Sequence, residues 1–287
     1  MHLPRFWARL LVPPGEAAEV PLEPDLDAAL LHLLRLPLQP TLRYLLSARP
    51  TLTEFEHWID RTSERLPSRG AITRFNDVVL GGDRPVPCVP SEEDVLTEDQ
   101  WRTWREDGYV VVPNVLSHEA CERTVQIVCA HLGVDERDPA TWYHAHPDKQ
   151  GIMVQLFSGA QLEENRLAPS VRGVFEQLWQ RTDLLPSFDR VGMNPPESGA
   201  YTFPGPDLHW DVSLKTPIPF GTQGLIYLRD TEAEQGALTL VPGMHRTLEA
   251  WLATLPDPSV ARATDLHALG ARPIAAGAGS PVVWHQA

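Results

Sequence analysis

A histidine and an aspartate stand two positions apart in the segment DLHWDVSL, residues 207–214. Polar and apolar residues alternate in this segment, so we predict a strand in which His209 and Asp211 project from one face and Trp210 packs in the core on the other. An imidazole and a carboxylate on one face supply two of the three ligands of a 2-His-1-carboxylate site, which leaves further positions on Fe(II) open. The same spacing also occurs in strands that bind nothing, so the pair alone leaves both interpretations open.

The chain changes from helical to strand-like periodicity along its length. Thr97 and Gln100 form a capping box that predicts a helix ending near Gly108, and Ser117 is placed to cap the next helix. Helical spacing also occurs in DLDAALLHLLRL, TLTEFEHWIDRT and PSVRGVFEQLWQRT, whereas strands are predicted in YVVVPNVL, LPSFDRVGM, GLIYLRDT, GALTLVPG and GSPVVWHQA. Helices followed by strands predict the α+β class, with an antiparallel barrel or jelly roll that carries helices on one side.

Two regions of different character divide the sequence. Residues 1–90 are predicted to form a helical N-terminal extension whose role the sequence does not indicate. The segment GGDRPVPCVPSEED, residues 81–94, is rich in Gly and Pro and is predicted to be a linker or surface loop. Residues 91–287 are predicted to form the domain that carries the His209–Asp211 pair.

Four blocks, in this order, resemble the phytanoyl-CoA dioxygenase family of Fe(II)- and 2-oxoglutarate-dependent oxygenases: LTEDQWRTWREDGYVVVPNVLS, MNPPESGAYTFPGPDLHWD, GALTLVPGMHR and GAGSPVVWHQA. They cover about residues 97–287. The resemblance implies a double-stranded β-helix (a jelly-roll or cupin-like barrel) with flanking helices, which lacks its last strand in this sequence. It also implies that His209 and Asp211 are the first two iron ligands.

The resemblance places the third ligand, a histidine on a late strand, a few residues beyond Ala287. The arginine that binds the far carboxylate of 2-oxoglutarate would lie further on still. Three interpretations stay open: the protein continues past Ala287, it is naturally shortened with an impaired site, or His285 itself supplies the third ligand.

Other polar residues also receive predicted roles, and those of Gln155, Arg190 and His245 come from the resemblance. Gln155 and Arg190 are predicted to contact 2-oxoglutarate, because an amide and a guanidinium can both donate to a carboxylate, and Arg190 would suit an acidic substrate equally. Three more residues are predicted to line the pocket: Asn194, Tyr201 and Gln223. The remaining histidines are predicted to be structural or exposed, with His245 in a hydrogen-bonded turn, His267 on an exposed loop, and His144 and His146 on the surface.

The predicted reaction couples oxidative decarboxylation of 2-oxoglutarate, which releases succinate and CO2, to hydroxylation of a C–H bond by O2. Asp211 favours hydroxylation or desaturation over halogenation, since related iron halogenases need a small residue there for chloride to reach the metal. The partners predicted are O2 and a small organic substrate. A non-catalytic, ligand-binding barrel of the same family is the main alternative, and a cupin-like metal isomerase without 2-oxoglutarate is a further one.

Composition narrows the setting in which this chemistry would occur. The net charge of −14 and the pI near 5.2 disfavour nucleic acid and anionic membranes as partners. Three cysteines without a CxxC pair, Cys88, Cys121 and Cys129, predict reduced thiols and a cytoplasmic protein. The sequence does not indicate an oligomeric state.

Overall fold

The computed structural model of this chain describes residues 2–11, 24–63, 66–79, 95–182, 184, 187–199, 201–203 and 205–287. The predicted linker and Cys88 lie outside these residues. The described helices are α1 (His2–Leu11), α2 (Pro24–Leu33), α3 (Leu38–Ala48), α4 (Leu52–Thr62), α5 (Arg69–Val79), α6 (Glu98–Asp107), α7 (His118–Leu132), α8 (Ala160–Arg166), α9 (Pro169–Trp179) and α10 (Met244–Leu252). The described strands are β1 (Tyr109–Val111), β2 (Lys149–Gln150), β3 (Met153–Val154), β4 (Val191–Gly192), β5 (Thr222–Ile226), β6 (Thr239–Leu240), β7 (Arg272–Pro273) and β8 (Pro281–His285).

The chain divides into two compact units. The first unit comprises Met1–Pro90, Phe157–Arg166 and Arg181–Arg190, and the second comprises Ser91–Leu156, Leu167–Gln180 and Val191–Ala287. Two short segments from the second half of the sequence therefore belong to the helical first unit. The chain passes between the two units more than once.

The first unit is helical and has its own apolar core. Phe6, Leu45 and Phe55 are fully buried there, and Tyr44 stacks on Trp58 at a ring-centroid distance of 4.8 Å. The two helices predicted in this region are confirmed as α2 and α4. Helix α4 begins with a capping box in which Thr51 and Glu54 satisfy each other's backbone N–H groups.

The entry into the second unit follows the predicted signals. Thr97 and Gln100 form the predicted capping box of α6, and Gly108 ends the helix in a left-handed conformation. Strand β1 follows at once, and the Ser117 side chain accepts a hydrogen bond from the Ala120 N–H at the start of α7. The capping box, the helix end at Gly108 and the Ser117 cap are confirmed, whereas the strand predicted in YVVVPNVL is reduced to the three residues of β1.

The central sheet has the order β1-β8-β5, and both neighbouring pairs are antiparallel. One of its faces is covered by α6 and α9, because Val110 and Val283 share a core with Trp104, Val174 and Leu178. Side chains alternate along a strand, so the residues between these positions point to the opposite face. That opposite face carries Gln223 and its cross-strand partner Trp284.

The remaining described strands form two smaller sheets, β2-β3-β4 and β6-β7. The mixed helix-and-sheet class is therefore confirmed. The strand predicted in LPSFDRVGM is reduced to the two residues of β4, which pair with β3. Val154 of β3 is fully buried against Val128 and Leu132 of α7.

The prediction that residues 207–214 form a strand is wrong. The segment has the polar–apolar alternation of a strand, with His209 and Asp211 exposed and Trp210 and Val212 buried, but it pairs with no strand of the described residues. Its carbonyl groups bond elsewhere: Arg262 donates to the oxygens of Trp210 and Val212, at 2.7 Å each. A side chain thus takes the place of the hydrogen bonds that a neighbouring strand would supply.

Gly108 has a conformation and a neighbour that other residues would not accept. Its φ is +76°, and an added Cβ would lie 2.2 Å from Nδ1 of His245. We expect Gly108→Ala to lower the free energy of unfolding by about 2–4 kcal/mol, from left-handed strain and from overpacking together. Urea denaturation measures the change.

Gly133→Ala is the matched control for this substitution. Gly133 also ends a helix at a positive φ, +65°, but an added Cβ would have no neighbour within 4 Å. The control should therefore lose only the conformational part, about 1–2 kcal/mol. Equal losses in the two variants would contradict the contact between Gly108 and the His245 ring.

Two further expectations can be compared with the structure. Cys121 and Cys129 are free thiols, Cys121 being fully buried, and burial raises the pKa of both. In the part of the chain that the structure describes, no helix is long and apolar enough to cross a membrane.

Candidate metal centre

The side chains of His209 and Asp211 lie together on an open surface. Nε2 of His209 is 3.4 Å from Oδ1 of Asp211, and the two side chains are 62% and 56% exposed. Nδ1 of His209 lies 2.7 Å from the carbonyl oxygen of Asp207. A carbonyl oxygen only accepts, so Nδ1 donates to it, and in the neutral imidazole the lone pair then lies on Nε2, the atom beside Asp211. The expected common face is present, although the segment is not a strand.

The residues that alternate with His209 and Asp211 pack in a small apolar core. Trp210 and Val212 are buried with Leu248 and Leu252 of α10, and the rings of Trp210 and Trp251 are 5.8 Å apart. The predicted core packing of Trp210 is confirmed. Burial of the alternate side chains forces the intervening His209 and Asp211 outward.

Arg262 fixes the backbone on both sides of Asp211. It lies in the 3-10 helix Pro258–Ala263, and its two terminal nitrogens donate to the carbonyl oxygens of Trp210 and Val212. A planar guanidinium can make two such bonds at once, whereas a lysine has no fork of this kind. The sequence carried no signal for this contact, because Arg262 lies 50 residues further along the chain than Val212.

Gln223 of β5 orients the Asp211 carboxylate. Its Nε2 donates to Oδ2 of Asp211 at 2.8 Å, so the other carboxylate oxygen, Oδ1, is the one beside His209. Gln223 was predicted to line the pocket, and the structure places it in direct contact with the candidate ligand. The contact also ties the pair to the central sheet.

His285 points away from this pair. It is the cross-strand partner of Thr222, whereas Gln223 is opposite Trp284, so His285 and Gln223 project from opposite faces of the sheet. The His285 ring packs near Trp104, Phe220 and His245 instead. The interpretation that His285 supplies the third ligand is not supported by this geometry.

His245 is half-buried in the second unit. Burial lowers the pKa of His245 and of His285, since a charged imidazole is disfavoured away from water. A hydrogen bond to the backbone of Arg105 acts on the His245 pKa in the opposite direction. His245 lies in the first turn of α10 and not in a separate turn, and its Nδ1 is buried without a hydrogen-bond partner among the described residues.

The two residues predicted to contact 2-oxoglutarate differ in their surroundings. Both side-chain amide atoms of Gln155 are buried and have no hydrogen-bond partner in the described part of the chain. Its backbone N–H donates to the carbonyl of Asp148 at 2.7 Å. Arg190 lies in the first unit, where its side chain and its backbone N–H both approach Asp189.

The other predicted residues make contacts of their own. The Tyr201 hydroxyl donates to Oδ1 of Asn194 at 2.9 Å. His267 is exposed as predicted, but it lies in the 3-10 helix Leu266–Leu269 and not in a loop, and its Nε2 is 3.1 Å from the carbonyl oxygen of Pro206.

A His–His–Asp group that was not predicted from the sequence lies elsewhere in the second unit. His131, His146 and Asp148 each offer one ligand atom, and these atoms lie within 4.8 Å of one another. The prediction of surface exposure holds for His144, whereas His146 is half-buried. The repeated His-x-Asp spacing at residues 146 and 148 was a usable signal, but its partner His131 is supplied by α7.

The family model for phytanoyl-CoA dioxygenase (PhyH) matches residues 104–287, and the chain belongs to this family. Members of the family use Fe(II) and 2-oxoglutarate. The match contains the whole candidate metal centre and the resembling blocks from Trp104 onward, so the family resemblance stated from the sequence is confirmed.

Two individual proteins are similar to parts of the chain. "Ava biosynthesis cluster protein O" of Aspergillus versicolor is 27% identical over 118 residues, which are 37% of this chain and 38% of that protein. The match thus spans well under half the length of that relative. The crystal structure of HygX from Streptomyces hygroscopicus, with nickel, 2-oxoglutarate and hygromycin B bound, is 15% identical with a TM-score of 0.38, covering 68% of this chain and 80% of that one.

Proposed function

We propose that this chain is an Fe(II)- and 2-oxoglutarate-dependent oxygenase that hydroxylates an unactivated C–H bond of a small organic substrate and releases succinate and CO2. The observation that carries the proposal is the open His209–Asp211 pair, held by Gln223 and Arg262. We further propose that residues 91–287 contribute to a double-stranded β-helix around this pair, with residues 1–90 as a helical extension.

The two candidate ligand atoms suit a cation. Nε2 of His209 holds a lone pair and Oδ1 of Asp211 belongs to a carboxylate, so two acceptor atoms face each other at 3.4 Å. Two acceptors this close repel unless a proton or a metal ion lies with them. An imidazole and a carboxylate are donors that non-haem Fe(II) sites use.

His209 and Asp211 would hold the iron, and the bound iron with 2-oxoglutarate would supply the oxidising power to convert C–H and O2 into C–OH. The chain's own residues prepare the site. The Asp207 carbonyl fixes the His209 tautomer that leaves Nε2 free. Gln223 occupies Oδ2 of Asp211, which leaves Oδ1 for the metal. Such outer contacts orient metal ligands in proteins generally.

Gln155 is proposed to donate to a carboxylate of 2-oxoglutarate. Burying an amide without hydrogen-bond partners lowers the stability of the fold by about 1–3 kcal/mol. A hydrogen bond from Gln155 to bound 2-oxoglutarate would compensate this loss. The contact of Arg190 with the co-substrate or with an acidic substrate stays a prediction from the family resemblance, because Arg190 lies in the first unit beside Asp189.

The Gln155 proposal makes opposite predictions for binding and for folding. We expect Gln155→Leu to weaken 2-oxoglutarate binding by about tenfold or more, because it removes a hydrogen-bond donor to a charged group. The free energy of unfolding without ligand should stay level or rise, because a buried unpaired amide is removed. Calorimetric titration and urea denaturation measure the two effects.

Gln150→Leu, at an exposed position of the neighbouring strand β2, is the control and should leave co-substrate binding unchanged. A Gln155→Leu protein that binds 2-oxoglutarate normally and unfolds more easily would show that Gln155 serves the fold only.

The proposed function is tested by succinate release. The full chain, Fe(II), 2-oxoglutarate and air are incubated without substrate, and succinate is measured by chromatography against a sample with a chelator in place of iron. We expect slow, iron-dependent release, which a suitable substrate accelerates. Equal succinate in both samples, with and without candidate substrates, would favour the non-catalytic binding protein.

A further inference from the structure

We propose that His131, His146 and Asp148 form a second metal site that binds a divalent d-block ion of the zinc type and joins the end of α7 to the turn before β2. Neither His209 nor Asp211 belongs to this group, so the inference does not depend on the proposed oxygenase function. Two imidazoles and one carboxylate are a donor set used by zinc, whereas Mg²⁺ and Ca²⁺ prefer oxygen ligands throughout.

The distance between two of the candidate ligand atoms is close to the distance between neighbouring ligands in a zinc site. Nε2 of His131 and Oδ2 of Asp148 are 3.1 Å apart. Zinc bonds nitrogen and carboxylate oxygen at about 2.0–2.2 Å, so neighbouring ligands in a tetrahedral site are about 3.3–3.5 Å apart. The third ligand atom, from His146, lies within 4.8 Å of the other two, which a small side-chain rotation can close.

An ordinary ion pair does not account for the group equally well. Nε2 of His131 is buried and makes no hydrogen bond in the described part of the chain, although Asp148 is only 3.1 Å away. The two atoms are therefore close, but the N–H of the ring does not point at the carboxylate oxygen as a hydrogen bond requires. A metal ion between the two atoms would satisfy both.

The backbone around the group is well fixed. His131 lies in the last turn of α7, next to Leu132, which is buried against Val154. The Lys149 N–H donates to the His146 carbonyl at 3.0 Å. The Asp148 N–H donates to Nδ1 of His146 at 3.2 Å, which keeps these two candidate ligands side by side.

The electrostatic surroundings also favour a cation. The C-terminal end of a helix carries partial negative charge, and α7, with 15 residues, ends beside the group. The chain has a net charge of −14. Because the group links α7 to the turn before β2, a bound ion would hold two elements that are separate in sequence.

The test uses the full chain with His209→Ala and Asp211→Ala, which removes the ligands of the other proposed site. Zn²⁺ is titrated by competition with a chromophoric chelator. We expect one equivalent to bind to this parent. Adding His131→Ala or Asp148→Asn should weaken binding at least about a hundredfold, since each removes a direct ligand.

His144→Ala in the same parent is the matched control, because His144 is an exposed histidine two positions from His146 and lies outside the group. It should bind zinc as the parent does. Asp148→Asn keeps the size of the side chain, so its effect separates lost ligation from misfolding, which circular dichroism also checks. A parent that binds no zinc, or one that binds it equally well after both substitutions, would overturn the proposal. Neither outcome bears on succinate formation.

Discussion

Asp211→Ala is expected to lower iron-dependent succinate formation on the order of a thousandfold, to the level of the chelator-treated protein. Asp211 supplies the only carboxylate in the described pair, and its Oδ1 lies 3.4 Å from the partner nitrogen of His209. Without it the metal would keep one ligand of the pair and lose its charge compensation. Chromatographic measurement of succinate at saturating 2-oxoglutarate gives the rate.

Asp99→Ala is the control for this variant. Asp99 is an exposed aspartate on α6, 80% accessible at its side chain, and it pairs only with the nearby Arg102 among the described residues. Its removal should leave succinate formation unchanged. Iron-dependent turnover by the Asp211→Ala protein at the normal rate would contradict the assignment of Asp211 as a ligand.

Arg262→Met is expected to weaken Fe(II) binding by about 10- to 100-fold, the range found when groups that orient metal ligands are removed. Methionine fills much of the same space but cannot donate to the carbonyls of Trp210 and Val212, so the backbone around Asp211 loses both of its bonds to Arg262. The substitution displaces the backbone around Asp211 but leaves both candidate metal ligands in the protein. Excess Fe(II) should therefore restore most of the succinate rate, which it should not do for Asp211→Ala.

Arg262→Lys provides a graded comparison, because a lysine head can reach one carbonyl but not both with the same geometry. We expect an affinity between those of the native protein and Arg262→Met. Arg102→Met, at an exposed position of α6, should bind iron normally. Normal iron affinity in Arg262→Met, with a lower stability alone, would show that the arginine supports the local core and not the metal site.

Local signals in the sequence predicted local structure well. Thr97, Gln100 and Gly108 set the ends of α6 through interactions within a few residues, and the structure has each of them. Trp210 was predicted from alternation to face the core, and Gln223 was predicted to line the pocket. Helix ends depend on residues a few positions apart, and strand faces depend on simple alternation, so both can be predicted from the sequence alone.

Contacts between distant residues could not be predicted in the same way. The strand predicted for residues 207–214 failed because its carbonyls bond to Arg262, and the alternation of buried residues looks the same in either case. His131 and Asp148 meet only after α7 packs on β3. His285 was considered as a ligand, but its face of the sheet depends on the register of β8 with β5, which the sequence does not state.

The most direct test of the account is the visible absorption that a 2-oxo acid acquires when it chelates Fe(II) at a protein site. Under anaerobic conditions, 2-oxoglutarate is added to the full chain loaded with Fe(II), and the difference spectrum is recorded. We predict a charge-transfer band in the native protein and in His131→Ala, and its loss in His209→Ala. The absence of a band in the native protein, or its persistence in His209→Ala, would contradict an iron centre at His209 and Asp211.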